Sequence, residues 1–291
     1  MKKNYKGIIL AGGTGSRLFP LTKVINKQLL PVYDKPMIFY PLSTLILSGI
    51  TEILIICKSS NVEQFNSILG NGSDLGLNIS YEIQDQPNGL PEAFVIGENF
   101  IKDDNVMLIL GDNIFHGNSI YPLITESMDS NMGAVCFAYQ VKDPSSFGVA
   151  EIDEKNKIFS IEEKPQDPKS NLAVTGMYLF DNEVIRFSKK LKKSSRGETE
   201  IVDLLRSYLA NESLECKVFR RGVTWLDTGT FQDLIAASNY FSIIENRQGN
   251  KIACIEEVCY EMGLISKSQV ISLAAKYGNS DYAKYILEIM E

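Results

Sequence analysis

Residues 7–11, Gly-Ile-Ile-Leu-Ala, form an apolar run that passes directly into Gly12, Gly13, Thr14 and Gly15, with Arg17 and Leu18 just beyond. A run this short and this apolar reads as a buried strand. Three glycines in four positions let the backbone turn sharply and bring bare N–H groups close to a ligand. Arg17 and, ten residues on, Lys27 set fixed positive charge beside that concave stretch. Together these features predict a cradle for a nucleoside triphosphate.

The spacing separates this loop from other phosphate-binding loops. A dinucleotide fingerprint requires G-x-G-x-x-G, but counting from Gly13 the third glycine position holds Leu18. A Walker loop ends in Gly-Lys followed by Ser or Thr, and no such triplet follows here. Pro20 interrupts any long helix starting at the glycines. Taken alone, the loop also reads as a flexible strand-to-helix turn with basic neighbours.

Beyond it the chain alternates strand-like and helix-like segments. Pro36 suits an early helix position before residues 37–47, and Gly49 ends that pattern. Strands are expected at residues 52–57, 79–83 and 106–110, with helical stretches at about 61–69 and 93–100. This alternation predicts an α/β domain with a mainly parallel sheet. Shorter strands are expected at 134–140, 148–152, 157–161 and 174–180, then a helix over about 200–209. From about residue 249 the pattern is mostly helical and tyrosine-rich.

At 291 residues, 44% of them hydrophobic, the chain can bury one large core. A net charge of −7 argues against a nucleic-acid surface but permits local positive charge around an anionic substrate. Five widely spaced cysteines without a CxxC pair predict buried free thiols rather than zinc ligands or disulfides. Met1, Lys2, Lys3, Asn4 and Tyr5 contain no apolar signal region, and no stretch of eighteen apolar residues occurs. The expectation is a cytoplasmic protein that binds neither nucleic acid nor membrane.

Residues 10–18, Pro20, Lys27 and Gln28-Leu29-Leu30-Pro31 resemble the signature of sugar-nucleotide pyrophosphorylases, which join a sugar 1-phosphate to a nucleotide. Residues 32–43, VYDKPMIFYPLS, are similar to the glucose-1-phosphate thymidylyltransferase branch of that family. So are Leu110-Gly111-Asp112-Asn113-Ile114-Phe115, Glu162-Glu163-Lys164-Pro165, Val174-Thr175-Gly176 and Trp225-Leu226-Asp227-Thr228-Gly229-Thr230. The likeness runs from about residue 5 to the C-terminus. It implies a three-layer αβα sandwich with a mixed, mainly parallel sheet and a C-terminal helical region. It also implies a nucleotidyltransferase core over residues 1–248, nucleotide-binding to about 115 and sugar-binding over about 116–248. A helical appendage would then occupy residues 249–291.

The same resemblance suggests roles. Asp112 follows an apolar strand, where open α/β sheets bind ligands, although a capping role is equally open to it and to Asp227. By resemblance Asp112 and Asp227 are paired Mg²⁺ ligands. Lys164, in isolation a surface charge beside two acids, resembles the lysine that grips the sugar phosphate. Glu163 then accepts sugar hydroxyls, and Arg196 is a second phosphate contact. Gly148, Val174 and Tyr178 resemble residues lining the sugar pocket, while Val174 and Tyr178 also read as plain strand core. Gly12, Gly13, Thr14, Gly15 and Gln28 match nucleotide-binding positions.

Gln84 and Gly89 match base-recognition positions. A glutamine amide can donate and accept together, and a glycine amide can approach a base closely. Gln84 reads otherwise as a solvated strand end. Two departures from the family pattern stand out: Pro91-Glu92 replaces Ala-Gln, and Phe147 replaces the Tyr that often precedes the pocket glycine. His116, the only histidine, is expected in a loop without catalytic duty, because a phosphate oxygen is already ionised at neutral pH; lining a regulatory pocket is its alternative role.

The implied reaction is in-line attack of glucose 1-phosphate on the α-phosphorus of dTTP, with loss of pyrophosphate. Alignment and charge stabilisation carry such chemistry. Arg17 and Lys27 would serve the triphosphate, and Lys164 with Arg196 the attacking phosphate. Uridylyl transfer stays open, because thymine and uracil differ by one methyl, worth about 1–3 kcal/mol. A non-catalytic sugar-nucleotide sensor is the alternative from another class, and Leu18 and Pro20 disfavour a dehydrogenase. The resemblance further implies a homotetramer, feedback inhibition by a dTDP-sugar, and a place in dTDP-rhamnose-type deoxysugar synthesis. Arg17→Ala should remain folded and lose roughly 10³–10⁵ in kcat; near-normal turnover of the folded variant would remove Arg17 from the reaction.

Overall fold

The structure, a computed structural model, describes residues 4–291; Met1, Lys2 and Lys3, and the expectation of no signal region there, lie outside the described residues. The strands in chain order are β1 (Tyr5–Ala11), β2 (Pro31–Val32), β3 (Lys35–Pro36), β4 (Glu52–Cys57) and β5 (Asn78–Ile83). They continue as β6 (Asn105–Leu110), β7 (Asn113–His116), β8 (Ala134–Gln140) and β9 (Gly148–Ile152). The last four are β10 (Ile158–Glu163), β11 (Leu172–Phe180), β12 (Leu214–Val218) and β13 (Thr224–Asp227). The helices are α1 (Phe39–Leu47), α2 (Val62–Leu69), α3 (Glu92–Ile96), α4 (Glu98–Ile101), α5 (Ile120–Ser130) and α6 (Glu183–Ser188). After them come α7 (Ile201–Ala210), α8 (Phe231–Gln248), α9 (Ile255–Glu261), α10 (Lys267–Lys276) and α11 (Asp281–Glu288).

Nine strands make one mixed sheet. Along its main path the order is β10-β9-β11-β6-β1-β4-β5, with β8 paired to β11 and β12 paired to β8. The segment β6-β1-β4-β5 is parallel throughout. Leu10 lies opposite both Leu110 and Ile56, so β1, β4 and β6 end side by side and their following turns open at one edge. That edge is where an open α/β sheet binds ligands. β11 runs antiparallel to β6, which brings its first residues to the same edge.

The apolar strands look uninterrupted because both faces are covered. Ile9, Ala11, Ile53, Ile55 and Cys57 point into one buried cluster with α1, α2, α5, α9, α10 and α11. Ile8, Leu10, Leu54 and Ile56 point into the other, with α3, α4, α6 and α7. The result is a three-layer αβα arrangement. A third, smaller cluster of Val32, Met37, Tyr40, Ile114, Ala237 and Phe241 packs the β2–β3 ribbon and β7 against α8. All five cysteines are buried and free.

Several elements differ from the sequence pattern. Pro36 does not open a helix: it pairs with Pro31 in the β2–β3 ribbon, and α1 starts at Phe39. A two-residue edge ribbon tolerates a proline that has no N–H to offer. The helical stretch at 93–100 breaks at Gly97, where a Cβ would stand 3.2 Å from both Ile8 and Leu54, into α3 and α4. His116 is not in a loop; it ends β7 opposite Thr224. The 18-residue helix α8 escaped notice because exposed Ile235 and Ile243 blur the narrow buried stripe of Ala237, Phe241 and Glu245. Its start is defined instead by a capping box between Thr230 and Asp233.

A buried charge pair secures the β2–β3 ribbon to α8. Lys35 Nζ donates to Glu245 Oε1 at 2.8 Å, and both side chains are nearly inaccessible. Asp34 lies 2.6 Å from Lys35 and also pairs with Lys251. Removing one partner of such a pair leaves an uncompensated buried charge, at a cost on the order of 3–5 kcal/mol. Lys35→Met should therefore lower the unfolding free energy measured by urea denaturation by about that amount, and Lys35→Met/Glu245→Leu should recover much of it. A double variant weaker than the single one would show that the pair stabilises beyond charge compensation.

Candidate active site

The glycine loop takes the form that its residues require. Gly15 adopts a left-handed conformation, φ +59°, and its carbonyl accepts the Thr22 hydroxyl at 2.6 Å. Leu18 is fully buried and anchors the loop, leaving Arg17 exposed above it. The Arg17 guanidinium lies along Gly229, where a Cβ would come within 3.0 Å of Nη1. Asn26 organises the next turn: its amide donates to Ala11 O at 3.1 Å, and its Oδ1 accepts from the Gln28 N–H at 2.8 Å. That short turn carries buried Lys27, whose Nζ meets Asp112 Oδ2 at 2.5 Å. Gln28 is buried beneath Gly111, where a Cβ would stand 2.8 Å from its Cγ.

Asp112, in the turn between β6 and β7, and Asp227, at the end of β13, are far apart in sequence and are brought together by the β7–β13 pairing. Asp227 pairs with Asn113, the residue after Asp112. Thr228 donates twice to the Asp112 carbonyl, from its N–H at 3.2 Å and its hydroxyl at 2.9 Å. Neither carboxylate caps a helix. Burial and then the charge of Asp112 push the Asp227 carboxyl up to about 6, while Lys27 and Arg17 pull it down. Among the described residues no cluster of three His, Cys, Asp or Glu forms a self-sufficient metal cage. Two carboxylates fit Mg²⁺, which keeps waters and substrate phosphates as its other ligands. A cation held there would relieve the part of that shift that comes from the charge of Asp112.

The opposite wall comes from β9, β10 and β11. Glu163 pairs with Gly148, and Gly148 also faces Val174 across the sheet. Lys164 follows at φ +46°, uncommon for a residue with a side chain, and is held there by its N–H on Phe147 O at 2.9 Å. Lys164, Arg17, Asp227, Phe147 and Trp225 line one cleft of about 920 Å³. The Phe147 ring meets Trp225 edge-on, with centroids 5.1 Å apart. Val174 and Tyr178 are buried in β11, and the register shift between them exposes the Gly176 N–H to Asn113. Arg196 is exposed but already engaged: it donates to Glu163 Oε1 at 3.0 Å and to Glu200 Oε2 at 2.6 Å.

On the nucleotide side, the Gln84 N–H hangs from Cys57 O at 2.8 Å, just past the ends of β4 and β5. Its Oε1 lies 3.0 Å from where a Cβ of Gly12 would be, so Gln84 borders the glycine loop. Gly89, φ +116°, makes a bridge to Thr199 so close that a Cβ would sit 2.0 Å from the Thr199 carbonyl. Gly13 has nothing within 4 Å of its Cβ position, which leaves its backbone open to a ligand, and Thr14 is exposed beside it.

The nucleotidyl transferase family model matches residues 6–242. A glucose-1-phosphate thymidylyltransferase of Neisseria meningitidis is 49% identical, over 98% of this chain and 99% of that relative. A protein of the same name from Mycobacterium tuberculosis is 48% identical, again over 98% of this chain and 99% of its own. This chain belongs to the glucose-1-phosphate thymidylyltransferase family. The solved structure of a Bacillus anthracis protein assigned to that family superposes with a TM-score of 0.76 at 43% identity, covering 81% of this chain and 95% of that one. A UDP-glucose pyrophosphorylase bound to UDP-glucose gives a TM-score of 0.72 at 25% identity, over 84% of this chain and 100% of that one.

Within this thymidylyltransferase fold, two asparagines escaped the sequence reading. Asn113 Oδ1 accepts from Trp225 Nε1 at 2.6 Å and from Gly176 N at 3.1 Å, while its amide donates to Asp112 Oδ1 at 3.1 Å. Asn26 ties the end of β1 to the turn bearing Lys27. Asn113 lies within a family motif, but no spacing tells that its side chain reaches β11, β13 and the turn carrying Asp112. His116 Nδ1 lies 2.8 Å from the Tyr240 hydroxyl, away from the cleft, and burial pushes its imidazole down.

The raised Asp227 carboxyl has a consequence for stability. A carboxyl that titrates higher folded than unfolded stabilises the fold below the unfolded value, near 3.9. That contribution is lost as pH rises through about 6. In chelator at pH 8, Asp227→Asn should therefore be more stable than the parent by roughly 1–3 kcal/mol, while transfer activity collapses. The gap should close as the pH approaches 4. Thermal melting at both pH values checks this, and equal melting at pH 8 would contradict the electrostatic conflict.

Proposed function

We infer that this chain transfers the thymidylyl group of dTTP to α-D-glucose 1-phosphate, giving dTDP-glucose and pyrophosphate. The observation that carries this reading is 49% identity to a glucose-1-phosphate thymidylyltransferase over nearly the whole of both chains. The cleft supports it. Arg17 stands on one side and Lys164 on the other, with Asp227 also in the lining.

In this reading Lys164 holds the sugar phosphate so that one ionised oxygen points at the α-phosphorus. No general base is needed, and His116 supplies none. Arg17 faces the charge that develops on departing pyrophosphate, and the backbone N–H groups of Gly13, Thr14 and Gly15 hold the triphosphate in line. Lys27, paired with Asp112, keeps that carboxylate aligned and adds positive charge near the phosphates. Asp112 and Asp227 would hold Mg²⁺, which when bound supplies positive charge between the reacting phosphates. Arg196 orients Glu163 towards the sugar hydroxyls and becomes a second phosphate contact by giving up one of its carboxylate partners. Gln84 and Gly89 meet the pyrimidine edge, and Gly148, Val174 and Tyr178 shape the sugar pocket.

The finer context follows from the same reading: a cytoplasmic homotetramer feeding dTDP-deoxysugar synthesis, subject to feedback by a dTDP-sugar.

Pyrophosphate release should be measured with glucose 1-phosphate and Mg²⁺, offering dTTP and UTP separately and then in competition. A preference for dTTP is expected. A preference for UTP would move the enzyme to the uridylyl branch, and nucleotide binding without pyrophosphate release would make the chain a sensor.

A further inference from the structure

Glu92 follows Pro91 just after the Gly89 turn, and its contacts give it a definite task. It is half-buried in the first turn of α3, and its Oε2 accepts from Gln84 Nε2 at 2.7 Å. Its Oε1 accepts from the Asn88 amide at 2.9 Å. Asn88 is fixed in turn: its carbonyl receives the Thr199 N–H at 2.8 Å, and its Oδ1 receives Lys193 Nζ at 2.7 Å. The second N–H of the Gln84 amide points at Gly89 O, 3.3 Å away.

A glutamine amide by itself is ambivalent, because a half-turn exchanges its oxygen for its NH₂. A carboxylate can only accept, so Glu92 requires the NH₂ of Gln84 to face it. Turning the amide over would set oxygen against oxygen in a buried site. The Gln84 oxygen is thereby committed to the other side, towards Gly12 and the nucleotide loop. Both donors of Gln84 are used within the protein, so Gln84 offers a nucleotide an acceptor only, and not the donor-and-acceptor pair expected from its type.

We propose that Glu92 is a positioning residue for base selection: it locks Gln84 with its oxygen towards the pyrimidine, where that oxygen accepts from N3–H. Thymine and uracil carry that hydrogen. Cytosine carries a lone pair at N3 and meets the Gln84 oxygen acceptor to acceptor. The discrimination against cytosine therefore resides in a carboxylate that never touches the base. This rests on the placement of Gln84 at the base edge given above.

The test is the ratio of kcat/KM for dTTP to that for dCTP, with glucose 1-phosphate as the second substrate. Glu92→Met keeps the side chain's length and removes the acceptor. It should lower the ratio at least tenfold, chiefly through KM, with dTTP use weakened and dCTP use raised. Glu92→Gln retains one acceptor oxygen for Gln84 and should preserve most of the ratio. Glu92→Ala takes the place of the methionine variant if that one does not fold. An unchanged ratio in a folded Met or Ala variant overturns the proposal, as does an equal loss in Met and Gln variants. Gln84→Ala separates the two readings. If it leaves the ratio intact, Gln84 is not at the base edge; if it abolishes the ratio while Glu92→Met does not, only the positioning role of Glu92 is lost.

Discussion

The reaction centre depends on a pair of hydrogen bonds that Thr228 donates to the carbonyl oxygen of Asp112, a residue 116 positions earlier. They seal the end of the β7–β13 ribbon, and with it the position of everything that the two strands carry. Asp227 is brought beside Asp112, Gly229 beneath Arg17, and Trp225 into the wall of the cleft. Asn113 reinforces the same junction from inside, receiving Trp225 and Gly176 on its oxygen while donating to Asp112. The cleft is thus built across the chain from segments that only backbone pairing can bring together.

Burying Asp227 near a second carboxylate is unfavourable, and its carboxyl is raised first by that burial and then by the charge of Asp112. Lys27 and Arg17 offset part of the conflict, and the remainder suits a site made to receive cations and phosphates. Similar tension recurs on the sugar side, where Lys164 occupies a left-handed conformation and Arg196 is shared by Glu163 and Glu200. Local rules are broken where the chemistry is, as expected of a functional site supported by a well-packed scaffold. A net charge of −7 is no obstacle to anionic substrates, since Arg17 and Lys164 place local positive charge on the cleft lining.

Much of the sheet was legible because burial on both faces leaves an unmistakable mark. β4 and β8 have the expected bounds, and β6 differs by one residue. The glycine loop was legible because few residue types can make such a turn. Pro36 misled because its fixed φ suits a helix start and an edge ribbon alike, and only the pairing of Lys35 with Glu245 on α8 selects the ribbon. α8 was missed because most of its surface faces away from the core, and exposed Ile235 and Ile243 blur the narrow stripe that it buries. His116 was misplaced because β7 has only four residues and exists by virtue of β13, more than a hundred residues later.

The sequence by itself determined the class of fold, the family and the set of polar groups available for the reaction. These follow from local patterns: apolar strands, glycine turns, and motifs in a recurring order. Tertiary structure alone decided how those groups are presented. Gln84 became an acceptor because Glu92 and Gly89 use both of its donors, and Arg196 became a partner of two carboxylates. The orientation of an amide or a guanidinium is set by whatever hydrogen-bonding groups surround it in space. For this cleft those groups come from distant strands and loops, so no short stretch of sequence contains the answer.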